Sequence, residues 1–477
     1  MHKFNIYRCF VALNICLAIA SCKAPSIVVP AAKLIVPATY GQNQDSTNIA
    51  RVPWRSFFKD QNLISLIDTA LKNNQELMST LQEIEIAKND IRIRKGSLLP
   101  SASLGAGIGV EKVGRYTSQG AGDASTDIAP GKEIPDPLMN YNLAIHANWE
   151  VDIWKKLRNS KKAAISRYLS TIEGKNFVIT NLIAEVADSY YELLSQDNQL
   201  EIVKQNIQLQ KNALEIVKIQ KEASRATELA VQKFQAEVLT SKSMEFDILQ
   251  KIKETENRIN FLLGRYPQEI KRDKSDFLGF SPSAVHSGVP SQLLSNRPDI
   301  KQAEFELAAA KLDVKVARAE FYPSLDISAA IGLQAFKPSY LFKIPESVLY
   351  SLAGDISGPL INRNAIKAEF SSANARQLQA MYNYERTILN AYLEVSNQLS
   401  KISNLEKSYG LKSQQVDALD KSIVASNDLF KSARVNYFEV LMTQRDALEA
   451  KLELIETKKE QMNAVVHFYR DLGGGWQ

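Results

Sequence analysis

The chain has 477 residues, with 58 Lys and Arg against 53 Asp and Glu and a formal net charge of +5. That near-neutral balance, with no long run of like charge, excludes a nucleic-acid footprint. All three cysteines, Cys9, Cys16 and Cys22, fall in the first 22 residues, which excludes a disulfide framework and a cysteine metal site.

The first element is a secretory signal. His2, Lys3 and Arg8 make a basic start, and an apolar stretch runs from Cys9 to Ala20, broken only by Asn14. The stretch is too short for a transmembrane helix. Ile19-Ala20-Ser21-Cys22 has the form of a bacterial lipobox. Residues 1–21 are therefore expected to be removed and Cys22 to be acylated; the alternative is an ordinary signal with a chance cysteine. Removal leaves 56 basic against 53 acidic residues. Lys23, rather than Asp, follows the cysteine, as in lipoproteins sorted to the outer membrane. Residues 22–51 read as a lipidated, extended N-terminal segment. One acyl chain holds a membrane weakly, so further anchorage is expected. No later stretch offers 18 unbroken apolar residues, so any membrane span is made of strands.

Two strands follow. In LLPSASLGAGIGV (98–110), Leu104, Ala106, Ile108 and Val110 alternate with small residues. In NYNLAIHANWEVDIW (140–154), Tyr141, Leu143, Ile145, Ala147, Trp149, Val151 and Ile153 alternate with a mostly polar set. Residues 111–139, rich in Gly, Pro, Ser and Asp, read as an exposed hairpin loop. The period then becomes helical. Ile172, Ile179, Val186, Leu193, Leu200, Ile207 and Leu214 are spaced by seven, which implies left-handed supercoiled packing. Some 60 such residues would span roughly 90 Å. KEASRATELA (221–230) reads as the tip where the helix turns back.

The second half repeats the first. FYPSLDISAAIGL (321–333) matches the opening strand, and YSLAGDISGPL (350–360) supplies its partner, with Tyr350, Leu352, Gly354 and Ile356 on one side. Their loop is 334–348. Adding 209 to each heptad position gives Met381, Ile388, Val395, Ile402, Tyr409, Val416 and Ile423, again all apolar. KSARVNYFEV (431–440) is the second tip. The first repeat spans 52–290, with a β-hairpin at about 101–153 and a helical hairpin at about 155–267. The second spans 291–477, with a β-hairpin at about 323–360 and a helical hairpin at about 362–472. Four strands of about ten residues suit a tilted bilayer crossing. Membrane sheets close into barrels, and barrels start at about eight strands. Several chains must then share one barrel: two would give eight strands, three twelve.

LLSNRPDIKQAEFELAAAKLDVKVARAEFYPSLDIS (293–328) resembles a signature of the outer-membrane efflux family, the TolC-like channels, in particular the lipidated OprM and NodT-type subgroup. WEVDIW (149–154), GPLINRNAIKAEF (358–370), FYRDLGGGWQ (468–477) and VPWRSFFKDQNLISLIDTALKNN (52–74) agree in order, so the resemblance runs from about residue 50 to the end. It implies an α+β membrane protein and a homotrimer. Four strands per chain would form a shared twelve-stranded outer-membrane β-barrel continuous with a long periplasmic α-helical barrel. It also implies passive export of small molecules, drugs or toxic compounds. An inner-membrane pump of the resistance-nodulation-division (RND) type would deliver them through a periplasmic adaptor, a membrane fusion protein. Outer-membrane lipid would surround the barrel.

The resemblance places the adaptor-facing tips at Ser224, Arg225, Ala226 and Thr227 and at Ala433, Arg434, Val435 and Asn436. Family tips usually carry a glycine where this chain has Ser224 and Ala433, and glycine reaches left-handed backbone at least cost. NYFEVLMTQR (436–445) resembles the family's N-Y-L-x-x-L-D-A-Q-R run. The apolar constriction falls on Phe438, the entrance aspartate on Met442, and the arginine on Arg445. An acidic ring attracts cations by its field, and methionine does not. The periplasmic entrance is therefore expected to close by apolar bulk from Phe438 with Met442, and Arg445 is expected to pair with Glu439 or Glu228. The alternative is that Phe438 and Met442 pack between helices.

An enzyme is not expected. His2, His146, His286 and His467 are scattered, with no H-E-x-x-H, no G-x-S-x-G and no G-K-S/T. Neither metal nor cofactor is expected. His146 sits on the polar face of its strand, facing the lumen or another protomer. Gly473, Gly474 and Gly475 are expected to let the terminus bend away after the last helix. Tyr141, Trp149, Trp154, Tyr322, Phe336, Tyr340, Phe342 and Tyr350 cluster near strand ends, at bilayer interfaces or, as for Trp154, at the strand-to-helix junction. Two competing readings are a periplasmic coiled-coil structural lipoprotein and a type I protein-secretion channel.

Overall fold

The computed structural model describes residues 26, 37–40, 48–273, 277–279, 287–359, 363–432 and 434–477. Residues 1–21, expected to be a signal, lie outside them, as do Cys22 and Ala433. The chain forms two compact units.

The first unit holds Glu85–Tyr168 and Phe305–Met381. Its four long strands are β1 (Ser101–Glu111), β2 (Leu138–Glu150), β3 (Ser324–Ala335) and β4 (Val348–Ser357). They make one antiparallel sheet in that order. The two hairpins join through β2 and β3, in register from Tyr141 opposite Ala335 to Glu150 opposite Asp326. Helix α1 (Gln75–Gly96) leads into β1, and α2 (Lys156–Glu222) leaves β2. Helix α4 (Pro298–Ala319) leads into β3, and α5 (Asn364–Lys431) leaves β4; α3 is defined below. In an antiparallel sheet this connectivity puts all four helix attachments at one end and both hairpin loops at the other. Val314, Ala317, Phe321, Phe370 and Ala373 form an apolar cluster between α4 and α5, with Phe321 edge-on to Phe370 at 5.8 Å.

The second unit holds Ala32–Ile84, Leu169–Glu304 and Tyr382–Gln477. Here α2 is followed by α3 (Glu228–Leu262), and α5 by α6 (Tyr437–Asp471). Helices α3 and α6 are each 35 residues long and begin 209 positions apart. Their ends repeat too. Gly264 and Gly473 take φ of +64° and +88°. The next amide in each case bonds back to a helical carbonyl, Arg265 to Asn260 and Gly474 to Tyr469. This is the left-handed helix stop that glycine provides most cheaply.

The heptad positions are buried unequally. Val186, Leu193, Leu200, Ile207 and Leu214 are buried, as are Val395 and Val416, but Ile402, Tyr409 and Ile423 are half-buried. Three ion pairs cross the second hairpin: Lys401–Glu460 at 2.5 Å, Lys412–Glu453 at 2.9 Å and Lys451–Asp420 at 2.6 Å. The helix Gln61–Asn73 buries Leu63 and Ile67 completely. Asp60 caps it, accepting from the Asn62 amide at 2.8 Å and from the Tyr190 hydroxyl at 2.5 Å.

The terminus does not bend away. Gly473 to Gly475 are buried, and the Trp476 indole N–H donates to the Asn296 carbonyl at 3.2 Å. Positive φ at Gly473 and Gly475 folds the tail back onto the unit, where the ring also lies 5.3 Å from the Lys301 ammonium. Among the described residues no helix is long and apolar enough to cross a membrane.

Candidate channel surface and entrance

The register sorts the strand residues onto two faces. One face carries the rows Leu104–Ile145–Ile331–Tyr350 and Ala106–Leu143–Leu333–Val348. Leu104, Ile108, Tyr350 and Leu352 on it are 72–83% exposed. An exposed apolar band of this extent is a surface for lipid rather than for water. The other face carries Ser103–His146–Ala330–Ser351, Ser101–Asn148–Ser328–Ala353 and Gly107–Asn142–Gln334. His146 is on the polar face, as its place in the alternation predicts. None of the four strands contains Lys or Arg. At the helix end of the polar face Glu150, Asp326 and Asp355 stand opposite one another in one row. Their sequence separation hid that row, which only the β2–β3–β4 register creates. Lys156 offsets part of its charge, pairing with Glu150 at 2.7 Å and with Glu320 at 3.5 Å.

The strand-to-helix junction is built on Asp152. Its carboxylate accepts from the Leu157 and Arg158 amides, both at 3.0 Å, and from Arg158 Nε at 2.9 Å. Burial pushes the Asp152 carboxyl up, but these hydrogen bonds outweigh it and hold it below the usual carboxylate range. It serves as the acceptor that the first turn of α2 needs. Trp154 stacks on Tyr322 at 4.6 Å and donates to the Pro323 carbonyl at 2.7 Å. The Trp149 indole donates to the Leu98 carbonyl at 3.2 Å. Trp154 and Tyr322 therefore belong to the junction, while Tyr350 lies on the apolar face.

At the tips, one apolar cluster gathers Leu214, Val217, Val231, Phe234, Val440 and Leu441, and Ala226 and Val435 pack against it. Thr227 and Asn436 are helix caps. The Thr227 hydroxyl accepts from the Ala230 amide, and Asn436 Oδ1 accepts from the Phe438 and Glu439 amides. Arg225 and Arg434 are exposed, and their amides close equivalent turns onto Gln220 and Leu429. Ser224 holds φ at +60°. A serine thus occupies the left-handed backbone where the family usually has glycine. Ser224→Gly is expected to raise stability by about 0.5–1 kcal/mol, the left-handed strain relieved less the added freedom of the unfolded chain. Thermal midpoints of the two purified proteins check this.

Phe438 is 58% exposed and Met442 half-buried, so Phe438 does not pack between helices of its own chain. Leu229, at the same place in the first repeat, is 59% exposed. The shift of 209 identifies it as a second apolar entrance candidate. The expected pairing of Arg445 is corrected. Glu228 is taken by Lys221, from across the turn, and by Gln232 at 2.7 Å. Arg445 instead reaches its neighbour Asp446 at 3.7 Å. Glu439 is exposed.

Comparison with known proteins places this architecture. The family described as "Outer membrane efflux protein" matches residues 66–265 and 289–474. The chain belongs to the outer membrane efflux protein family. Among similar members, the pyoverdine export outer membrane protein OpmQ of Pseudomonas aeruginosa is 27% identical over 425 residues, 89% of this chain and 87% of OpmQ. The cation efflux system protein CusC of Escherichia coli is 25% identical over 469 residues, 97% of this chain and 98% of CusC. A solved CusC structure matches with a TM-score of 0.81 at 24% identity, covering 95% of this chain and 99% of that one. The open-state MtrE outer membrane channel of Neisseria gonorrhoeae matches with a TM-score of 0.81 at 22% identity, covering 95% and 98%. This efflux protein is an outer-membrane channel component, and the fold above is the family's fold.

Proposed function

We propose that this efflux protein is the channel subunit of a tripartite exporter in which three copies close their sheets into one twelve-stranded barrel. One observation carries the reading: a four-stranded sheet with an apolar face and two edges, β1 and β4, that pair on one side only. In hydrocarbon each unpaired backbone group costs several kcal/mol, so strands from other copies must cover those edges. The number three follows from the family resemblance. The half-buried heptad positions of the second hairpin support the same reading, since a neighbouring copy would cover them.

Cys22 carries the lipid anchor. The tips around Arg225 and Arg434 meet a periplasmic adaptor, and an inner-membrane RND pump supplies the energy. The relatives are named for pyoverdine, toluene and cations, and small solutes are the substrate class proposed here. Phe438, with Met442 beneath it, narrows the entrance by apolar bulk.

Purified full-length protein, reconstituted in a planar bilayer with its mass determined alongside, tests this. Discrete conductance from a three-subunit species is expected, with each subunit heavier by the acyl modification of Cys22. Phe438→Ala is expected to raise single-channel conductance and antibiotic uptake by cells. A stable monomer or dimer without conductance would overturn the channel, and unchanged conductance in Phe438→Ala would overturn the gate alone.

A further inference from the structure

The loop joining β3 to β4, residues 336–347, is small and tightly held. The Gln334 amide donates to the Ser347 carbonyl at 2.8 Å, and the Ser347 amide and hydroxyl both donate to the Lys343 carbonyl, at 2.9 and 2.7 Å. Pro338–Tyr340 form a single turn. Within this frame the Phe336 and Tyr340 rings meet edge-on at 5.2 Å. The Lys343 ammonium lies 4.7 Å from the Tyr340 centroid, and the Lys337 ammonium 5.9 Å from it. Neither ammonium has a carboxylate partner among the described residues, although Glu346 lies in the same loop. Phe342 and Ile344 project beside them, 71% and 69% exposed.

This patch continues a surface already described. Just below the loop, the pairs Leu333–Val348 and Ile331–Tyr350 lie on the apolar face. The other hairpin loop differs in balance: Asp123, Asp127, Glu133 and Asp136 outnumber Lys112, Arg115 and Lys132, and its Arg115 faces Asp136 at 3.9 Å. Exposed apolar side chains flanked by unpaired ammonium groups, at the rim of a lipid-facing band, match the acyl-to-headgroup boundary of a membrane. A ring beneath an ammonium also keeps the charge directed without neutralising it.

We propose that loop 336–347 holds a phosphate-bearing lipid of the outer leaflet, with Phe342 and Ile344 entering the acyl region and Lys337 and Lys343 meeting the phosphate. The proposal rests on the barrel reading, which puts the hairpin loops at one membrane surface.

The test uses full-length protein in detergent, titrated with lipid A bearing two phosphates, with its dephosphorylated form and with inorganic phosphate, and read by native mass spectrometry. Bound bisphosphorylated lipid is expected. The double variant K337Q/K343Q should bind it about twenty-fivefold more weakly, two lysines near an anionic headgroup contributing about fivefold each. F342S/I344S should also weaken binding. Dephosphorylated lipid should bind wild type as weakly as the bisphosphorylated lipid binds K337Q/K343Q, and inorganic phosphate should not compete. Equal binding by wild type and both variants would overturn the assignment, as would equal affinity for the dephosphorylated lipid. Full competition by inorganic phosphate would make it a free-anion site and overturn the lipid. Conductance is measured in parallel. Conducting variants that bind lipid A as wild type overturn the loop assignment alone, whereas non-conducting wild type overturns the barrel.

Discussion

Arg297→Met is expected to destabilise the second unit by about 3 kcal/mol, read as a lower midpoint for the heat-induced loss of helical circular dichroism. Arg297 is 6% exposed. Its guanidinium grips Asp299 with two parallel bonds, at 3.0 and 2.7 Å, and reaches Glu394 at 2.7 Å and the Asp471 carbonyl at 2.8 Å. Methionine fills similar volume but leaves Asp299 and that carbonyl without their donor. The cost falls at the low end for a broken buried pair because the Glu394 side chain is 44% exposed and turns to water. Arg297→Lys should recover only part of the loss, since an ammonium cannot match the carboxylate fork. The site ties the start of α4 to α5 and to the end of α6. Burial pushes the nearby Asp471 carboxyl up despite its pairing with Arg470, so Arg297 also limits the cost of that buried acid.

Gly332→Val is expected to abolish assembly where Gly354→Val is tolerated. Gly332 stands opposite Ala144 in the β2–β3 seam. A Cβ there would lie 2.4 Å from the Leu143 carbonyl oxygen and 2.5 Å from Ala144 Cα and Cβ. Those are mostly backbone atoms of the paired strand, so the seam must open. The cost is about 3 kcal/mol or more, beyond ordinary overpacking of a core that side chains can relax. A Cβ on Gly354 meets nothing within 4 Å, and that position lies on the apolar face. Heat-modifiable migration of the membrane-extracted protein measures both. Loss of the oligomer in Gly332→Val with its retention in Gly354→Val is the expected pair of results.

The two variants divide what could be read from the residues alone. The alternation from Tyr141 to Ile153 and from Leu325 to Leu333 states which residues share a face, because successive strand side chains point to opposite sides. The shift of 209 carried this reading into the second half, and it located both helical hairpins and Leu229. That much is local, or repeats at a fixed offset. Lysine, serine and aspartate do not announce their partners in the same way. Neither the tail folding back onto Asn296, nor the turn of Arg445 toward Asp446, nor the choice of Trp154 for the junction over the lipid surface has a periodic signal.

The sequence by itself determined the strands, the heptads, the repeat and the two-faced sheet, since each follows from side-chain spacing along one segment. Only the tertiary structure decided the Glu150–Asp326–Asp355 row, the Arg297 network and the left-handed Ser224. The first two join residues far apart in the chain, and their energies depend on distances that registration and helix packing set. The third depends on backbone closure at the tip, which here holds a serine in the conformation that glycine takes most cheaply.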